Sequence, residues 1–108
     1  MENQTVNEGK TMAIISYITV IGTIIAFFMN NSNKNSFASF HIRQMLGIVL
    51  LGLINKYAIA NLLGGTVFWI VFAVVVVFWF IGFIGAVKGE EKSIPFIGDQ
   101  FQTWFKNI

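Results

Sequence analysis

The sequence has no cysteine, one histidine and one proline among its 108 residues. Without cysteine, the chain has no disulfide, no thiolate nucleophile and no sulfur ligand for a metal. Its single histidine, His41, also excludes an all-histidine zinc site within one chain. We therefore predict that the protein binds neither a metal nor another cofactor.

Charged residues are scarce, at 11% of the chain, and they are unevenly distributed. None lies between Lys10 and Lys34, and none between Lys56 and Lys88. Charge-free apolar runs of about 18 or more residues are typical of membrane-spanning helices. The net charge of +2 is too small to indicate a nucleic-acid partner. The sequence thus predicts an all-α integral membrane protein in contact with the lipid bilayer.

Three apolar runs are long enough to span a bilayer. We predict transmembrane helices at about residues 11–29, 37–55 and 66–87, because a lone strand in lipid would leave its backbone groups unpaired. Residues 1–10 are predicted as a polar N-terminal tail, and residues 11–108 as a single helical membrane domain. The tail lacks the basic start of a secretory signal, so we expect no removable signal peptide.

The end of the second helix is open to two interpretations. Asn55, Lys56 and Asn61 favour a connector at the membrane interface. Alternatively, the helix continues to Leu63, and the Lys56 side chain extends along it to reach water. Of the two, we prefer the connector.

Small residues recur in two predicted helices at the spacing of a packing face. In the first helix they are Ser16, Thr19, Thr23 and Ala26, with Gly22 close by. In the third they form two pairs four residues apart, Gly82 with Ala86 and Gly85 with Gly89. We expect another helix to approach closely at each face.

The segment after the third helix predicts an elbow and a short helix. Pro95 fixes an extended elbow at residues 94–98. Asp99 is predicted as the N-cap of an amphipathic helix at about residues 99–107, with Gln102 completing a capping box. The apolar stripe of this helix consists of Phe101, Trp104, Phe105 and Ile108. Because the helix is too short to span, we expect it to lie in the membrane interface.

Polar residues open the second helix, in the stretch 37–47. His41 and Gln44 are three residues apart and share one side of a helix. A structural interpretation has them hydrogen-bonding to neighbouring helices or headgroups, and a functional one places them in a polar pocket or conduction path. We favour the structural interpretation and expect both side chains to face other helices, since lipid offers them no partner. Arg43 points elsewhere and is expected to reach lipid phosphates.

Three segments of the chain resemble a known family. They are Lys10 to Tyr17, Phe40-His41-Ile42-Arg43-Gln44, and Ser93-Ile94-Pro95-Phe96-Ile97-Gly98-Asp99. The last two resemble the Phe-His-x-x-Gln and Ile-Pro-x-x-Gly-Asp motifs of a bacterial family of small membrane proteins of unknown function. That family is similar to the twenty-kilodalton Tic subunit of chloroplast protein import, which usually has four spans. The candidate family-motif residues are Phe40, His41, Arg43, Gln44, Pro95, Gly98 and Asp99.

No catalytic constellation accompanies these motifs. The three acids beyond Lys56 lie in a predicted loop or tail, whereas His41 opens the second helix, so we predict no enzyme. We expect a structural or interaction component of a membrane assembly, made with further copies of the chain or with another membrane protein. The alternative, which the resemblance implies, is an oligomeric channel or import-like translocation component.

The distribution of basic residues predicts a topology. With three spans, five of them lie on one side, namely Lys34, Arg43, Lys88, Lys92 and Lys106, and Lys10 and Lys56 lie on the other. The positive-inside rule then places the first loop and the C-terminus in the cytoplasm and the N-terminus outside. The resemblance implies the cytoplasmic (inner) membrane of a bacterium.

Overall fold

The computed structural model describes residues 2–108, and side chains at residues 4–31 and 34–108. Within this range the chain is all-helical, as predicted, and forms five helices. They are α1 (Glu2–Ile18), α2 (Val20–Asn33), α3 (Ser36–Leu63), α4 (Gly65–Lys88) and α5 (Gly98–Trp104). Two of them, α3 and α4, are long and apolar enough to cross a membrane, whereas the sequence predicted three.

The predicted first span is wrong because the helix breaks at Thr19. This residue has extended backbone angles (φ −153°, ψ 173°), and its hydroxyl accepts a 2.9 Å hydrogen bond from the Gly22 amide as the N-cap of α2. The hydroxyl of Thr23 donates to the Ser16 carbonyl at 2.7 Å, so α2 folds back along α1. The expected close approach therefore occurs inside a helical hairpin, and a Cβ on Gly22 would collide with the Ile15 carbonyl.

The polar N-terminal segment belongs to this hairpin. Predicted as a tail at residues 1–10, it is helical from Glu2, and Met1 lies outside the described residues. The Thr5 carbonyl accepts a 3.0 Å hydrogen bond from the Asn35 side chain, which also caps α3 through the Ala38 amide. The start of α1 and the α2–α3 connection therefore lie at the same end of the molecule.

The second predicted helix continues to Leu63, so the preferred connector is wrong. One turn of π-helix, Asn55–Ile59, interrupts the α-helical pattern without ending it. Gly64 then reverses the chain with φ 90° and ψ 178°, a conformation essentially restricted to glycine. The following helix, α4, matches the prediction of 66–87 to within one residue at each end.

Helices α3 and α4 form a long antiparallel hairpin that is covered at only one end. The segment Asn55–Leu63 contacts only α3 and α4, whereas α1, α2 and α5 all pack on the other end of α3. We call residues 50–76 the two-helix half and the remainder of the described chain the packed half. The whole molecule measures 47 × 23 × 23 Å, so the hairpin sets its length.

The two halves differ in charge and in the density of exposed large apolar side chains, which number ten among the 27 residues of the two-helix half and thirteen in the much longer packed half. Lys56 is the only charged residue in the two-helix half. Ten large apolar side chains are exposed there, namely Leu50, Leu53, Ile54, Tyr57, Leu62, Leu63, Trp69, Ile70, Phe72 and Val74. Only 17% of the most apolar window of α3 and 11% of that of α4 are buried. The core helix of a soluble protein would be mostly buried, so these helices present their apolar surface outward.

The C-terminal segment differs from its prediction in three respects. Residues 94–98 form a tight turn and not an extended elbow, because the Gly98 amide donates to the Ile94 carbonyl at 3.2 Å. Asp99 is not the N-cap, since α5 begins at Gly98 and Ile97 precedes it without a side-chain cap. Gln102 therefore completes no capping box.

The apolar stripe of α5 packs largely on α3. Phe101 is only 2% exposed and touches Gly47, where a Cβ would collide with its ring. Phe105 and Ile108 are half-buried, and Trp104 is 61% exposed. The stripe predicted for the membrane interface is therefore mainly a contact within the chain.

Candidate functional site

A buried polar cluster joins α1 to the start of α3. It consists of Tyr17, His41 and Gln44, each with no exposed surface. The Tyr17 hydroxyl lies 2.7 Å from His41 Nδ1, and Gln44 Nε2 donates to the Tyr17 hydroxyl at 3.0 Å. We call these three side chains the polar cluster.

The loop after α4 completes the cluster with backbone groups. His41 Nε2 lies 2.9 Å from the carbonyl oxygen of Glu90. Gln44 donates to the Lys92 carbonyl at 3.2 Å and accepts from the Ile94 amide at 2.9 Å. Two side chains of α3 thus hold residues 90–94 through main-chain atoms, beside the buried side chain of Ile94.

For a neutral His41 ring, the hydrogen-bond directions in the cluster follow from its acceptors. A carbonyl oxygen only accepts, so His41 Nε2 carries the proton and donates to Glu90. Nδ1 of the neutral ring then accepts, and the Tyr17 hydroxyl is its donor. The same hydroxyl accepts from Gln44, so its donor and an acceptor site are both used. Every polar atom of the three side chains therefore has a partner.

Glycines of α4 make room for this cluster. A Cβ on Gly82 would lie 2.6 Å from Tyr17 Cε1 and 2.9 Å from Gln44 Nε2. Gly82, Gly85 and Ala86 are the buried residues of α4, which confirms the predicted small-residue face. Gly89 differs, because it ends the helix with φ 77°.

Arg43 lies outside the polar cluster and contacts the C-terminal segment. Its guanidinium donates to the Phe105 carbonyl at 3.2 Å, the Lys106 carbonyl at 3.0 Å and Gln102 Oε1 at 3.4 Å. A cation near the Phe105 cap is favourable because the C-terminal end of a helix carries partial negative charge. Arg43 therefore holds the end of α5 against α3, and does not extend to lipid phosphates as expected.

The other candidate family-motif residues do not belong to the polar cluster, although Phe40 contacts it. The Phe40 ring meets His41 edge-on at 5.0 Å between centroids, and its carbonyl accepts from Gln102 at 2.8 Å. Pro95 and the buried Gly98 shape the tight turn before α5. Asp99 is exposed in the first turn of α5 and takes no part in the network.

Sequence reasoning missed two residues of the site. Tyr17 is the hub of the cluster, and Trp79 donates from its indole nitrogen to the Tyr17 carbonyl at 2.6 Å. A hydroxyl such as that of Tyr17 in an apolar run needs a partner, and this rule could have paired it with His41 or Gln44.

Family models, curated proteins and solved structures all fail to match the chain. The family resemblance therefore stays a prediction, and the geometry carries the functional argument. Among the described residues, no group of three or more His, Cys, Asp and Glu side chains could hold a metal ion. The polar cluster, with all its polar atoms partnered internally, holds the 90–94 loop on the helices, and His41 and Gln44 face other parts of the chain as expected.

Proposed function

We propose that this chain is an integral membrane protein in which only α3 and α4 cross the bilayer. At 1.5 Å per residue, the 24 residues of α4 extend about 36 Å, enough for a hydrocarbon core of about 30 Å. The 14 residues of α2 extend only about 21 Å, too little to cross. The α1–α2 hairpin would thus not cross the membrane. Both of its ends would lie on the side of the membrane where the packed half is.

The charge distribution supports a sidedness for this arrangement. Six of the seven basic residues lie in the packed half, and Lys56 alone lies in the other half. By the positive-inside rule, the packed half belongs to the cytoplasmic leaflet. The N-terminus would then be cytoplasmic, and not external as the three-span topology predicted, together with the α2–α3 connection and the C-terminus.

We propose the role of a structural or interaction component of a membrane assembly. The observation that carries this proposal is the completeness of the polar cluster: its three side chains are buried, and all their polar atoms are engaged. Such a network stabilises a fold and leaves no group poised for chemistry. The outward apolar surface of the two-helix half is then available to lipid and to other membrane helices.

The oligomeric channel that the family resemblance implies is less well supported. Between Val67 and Val87, the only polar side-chain groups of α4 are the indole nitrogens of Trp69 and Trp79, and that of Trp79 is engaged with the Tyr17 carbonyl. In α3, Gln44 is engaged in the cluster and Asn55 is buried against α4. A water-filled path between copies would need polar groups along exposed helix faces, and the hairpin offers few.

Extraction and photo-crosslinking test this proposal together. The protein should stay with membranes after alkaline washing and require detergent for release. A photo-reactive residue in place of Val74, in the two-helix half, should form adducts with protein in native membranes. The same residue in place of Gln4 serves as the matched control at an exposed polar position. Release by alkali would contradict the membrane location, and adducts with lipid alone would contradict the interaction role.

A further inference from the structure

The two-helix half contains a buried polar atom without a partner. Asn55, the first residue of the π-helical turn, is 2% exposed. Its amide nitrogen donates to the Phe68 carbonyl at 3.1 Å, but its Oδ1 has no hydrogen-bond partner within the described part of the chain. An unsatisfied buried acceptor is destabilising, and π-helical turns occur frequently at functional sites. Both features make the surroundings of Asn55 a candidate binding site.

A groove between α3 and α4 begins at this residue. Its first part has a volume of about 270 Å³ and is lined by Gly52, Asn55, Lys56, Phe68, Phe72 and Val75. A second part of about 330 Å³ shares Gly52 and Val75 and continues past Met45 to Val20 and Trp79. We call the two parts the hairpin groove. It is open where it passes Gly52, because a Cβ there would meet no atom within 4 Å.

The groove is apolar along its length and polar at one end. Asn55 bonds to the carbonyl of Phe68, which lies only four residues after the chain reversal at Gly64. The polar end of the groove is therefore the end nearer the tip of the hairpin. Lys56, the single charge of the two-helix half, is exposed beside it. In a membrane this end would lie close to the headgroups of the far leaflet. The groove therefore combines an apolar body, a cation and a hydrogen-bond acceptor that needs a donor.

We propose that the hairpin groove binds one anionic glycerophospholipid whose headgroup carries hydroxyl donors, as in phosphatidylglycerol. An acyl chain lies along Gly52 and Val75, the phosphate faces Lys56, and a headgroup hydroxyl donates to Asn55 Oδ1. Oδ1 is covered in this structure, so lipid binding requires the Asn55 amide to turn about its last torsion, which is broad for an amide side chain. The proposal rests on the membrane location proposed above.

Differential stabilisation by two lipids tests the proposal. The purified protein in a neutral detergent is heated with phosphatidylglycerol or with phosphatidylcholine of the same acyl chains. Phosphatidylcholine has the phosphate but no net charge and no headgroup donor. We expect phosphatidylglycerol to raise the melting temperature more, because a ligand that binds only the folded state stabilises it. Equal stabilisation by the two lipids would overturn the proposal.

Substitutions inside and outside the hairpin groove test whether the lipid preference arises there. Gly52→Leu should fill the groove and abolish the preference for phosphatidylglycerol, whereas Gly65→Leu, at a glycine with equally open surroundings outside the groove, should keep it. Lys56→Gln should weaken the apparent lipid affinity by about tenfold, as expected for a lost charge-assisted contact. Asn55→Leu should also reduce the preference. Since Lys56 is exposed, its variant should fold, and the lipid difference is compared within each variant. Retention of the full preference in Gly52→Leu would overturn the site.

Two further readouts separate the alternatives. Alkaline washing of native membranes is repeated on each variant, so a protein that stays with membranes but prefers neither lipid overturns the lipid site alone. Chemical crosslinking tests whether a second copy of the chain occupies the groove instead. Dimers that Gly52→Leu abolishes and Gly65→Leu retains, without a lipid preference in the unmodified protein, would overturn the proposal.

Discussion

The packed half and the two-helix half differ in how their buried polar side chains are partnered. In the packed half, polar side chains lie among apolar helices and partner one another, as Tyr17, His41 and Gln44 do. In the two-helix half the buried polar residue, Asn55, keeps an acceptor without a partner, and most large apolar side chains face outward. The first arrangement fixes one structure, whereas the second depends on its surroundings. This difference predicts contrasting responses to equivalent substitutions.

The largest contrast is expected between two glycines that receive the same side chain. Gly82→Leu should lower the free energy of unfolding by about 3 kcal/mol, because even a Cβ would lie within 3 Å of Tyr17 and Gln44. Gly52→Leu, with nothing within 4 Å, should be neutral or stabilising through its better helix propensity. Unfolding in one detergent compares both with the unmodified chain. Equal losses at the two positions would contradict the contrast.

The next largest effect concerns the coupling of His41 and Gln44. Each Ala substitution should cost about 1–2 kcal/mol, in the range of hydrogen bonds between membrane helices. The two effects should not add, since both side chains bond to the Tyr17 hydroxyl. A double-mutant cycle measures the coupling, with Asn55→Ala and Asn61→Ala as an uncoupled pair from the two-helix half. Strict additivity of His41→Ala and Gln44→Ala would mean that the shared hydroxyl carries no coupling.

A smaller effect is expected at Arg43. Arg43→Lys would matter little if Arg43 only reached lipid phosphates, but its guanidinium donates to two carbonyls and to Gln102, which one ammonium group cannot reproduce. We expect a loss of about 1 kcal/mol, with faster amide hydrogen exchange confined to α5. Lys56→Arg is the control in the other half and should change neither quantity. Unchanged exchange in α5 would restore the headgroup interpretation.

The smallest effect is expected at Asn55. In the absence of added lipid, Asn55→Leu should change stability by less than about 0.5 kcal/mol, because removal of the unsatisfied acceptor offsets the loss of the hydrogen bond to the Phe68 carbonyl. Asn30 is its counterpart in the packed half. It donates to Ser39 at 2.8 Å and accepts from the Asn35 amide at 2.9 Å, so Asn30→Leu should cost about 2 kcal/mol. Equal costs in a denaturant titration would show that Asn55 is satisfied after all.

The sequence predicted features that follow from composition or spacing. Absence of charge located α4 to within one residue at each end, and small residues marked its buried face at Gly82, Gly85 and Ala86. The three-residue spacing placed His41 and Gln44 together on the inner side of α3. These predictions succeed because helix length and helix periodicity are local properties.

The failures concern choices that depend on tertiary contacts. Hydropathy does not distinguish one spanning helix from a hairpin of two short ones, so the break at Thr19 was missed. Lys56 was taken as the end of α3, although a long side chain can extend out of a continuing helix. Arg43 was assigned to lipid because its carbonyl acceptors, those of Phe105 and Lys106, lie more than 60 residues away in the sequence.

The central claim is that the chain crosses the bilayer twice, with both termini and the α2–α3 connection on one side. Because the sequence has no cysteine, single cysteines can be introduced at exposed positions on an otherwise unreactive chain. We choose Gln4, Asn31, Asn61 and Lys106, and label them in intact cells with a membrane-impermeant maleimide. Gln4→Cys, Asn31→Cys and Lys106→Cys should be protected together, while Asn61→Cys reacts. Reaction of Gln4→Cys alongside Asn61→Cys, with the other two protected, would establish three spans and contradict the account.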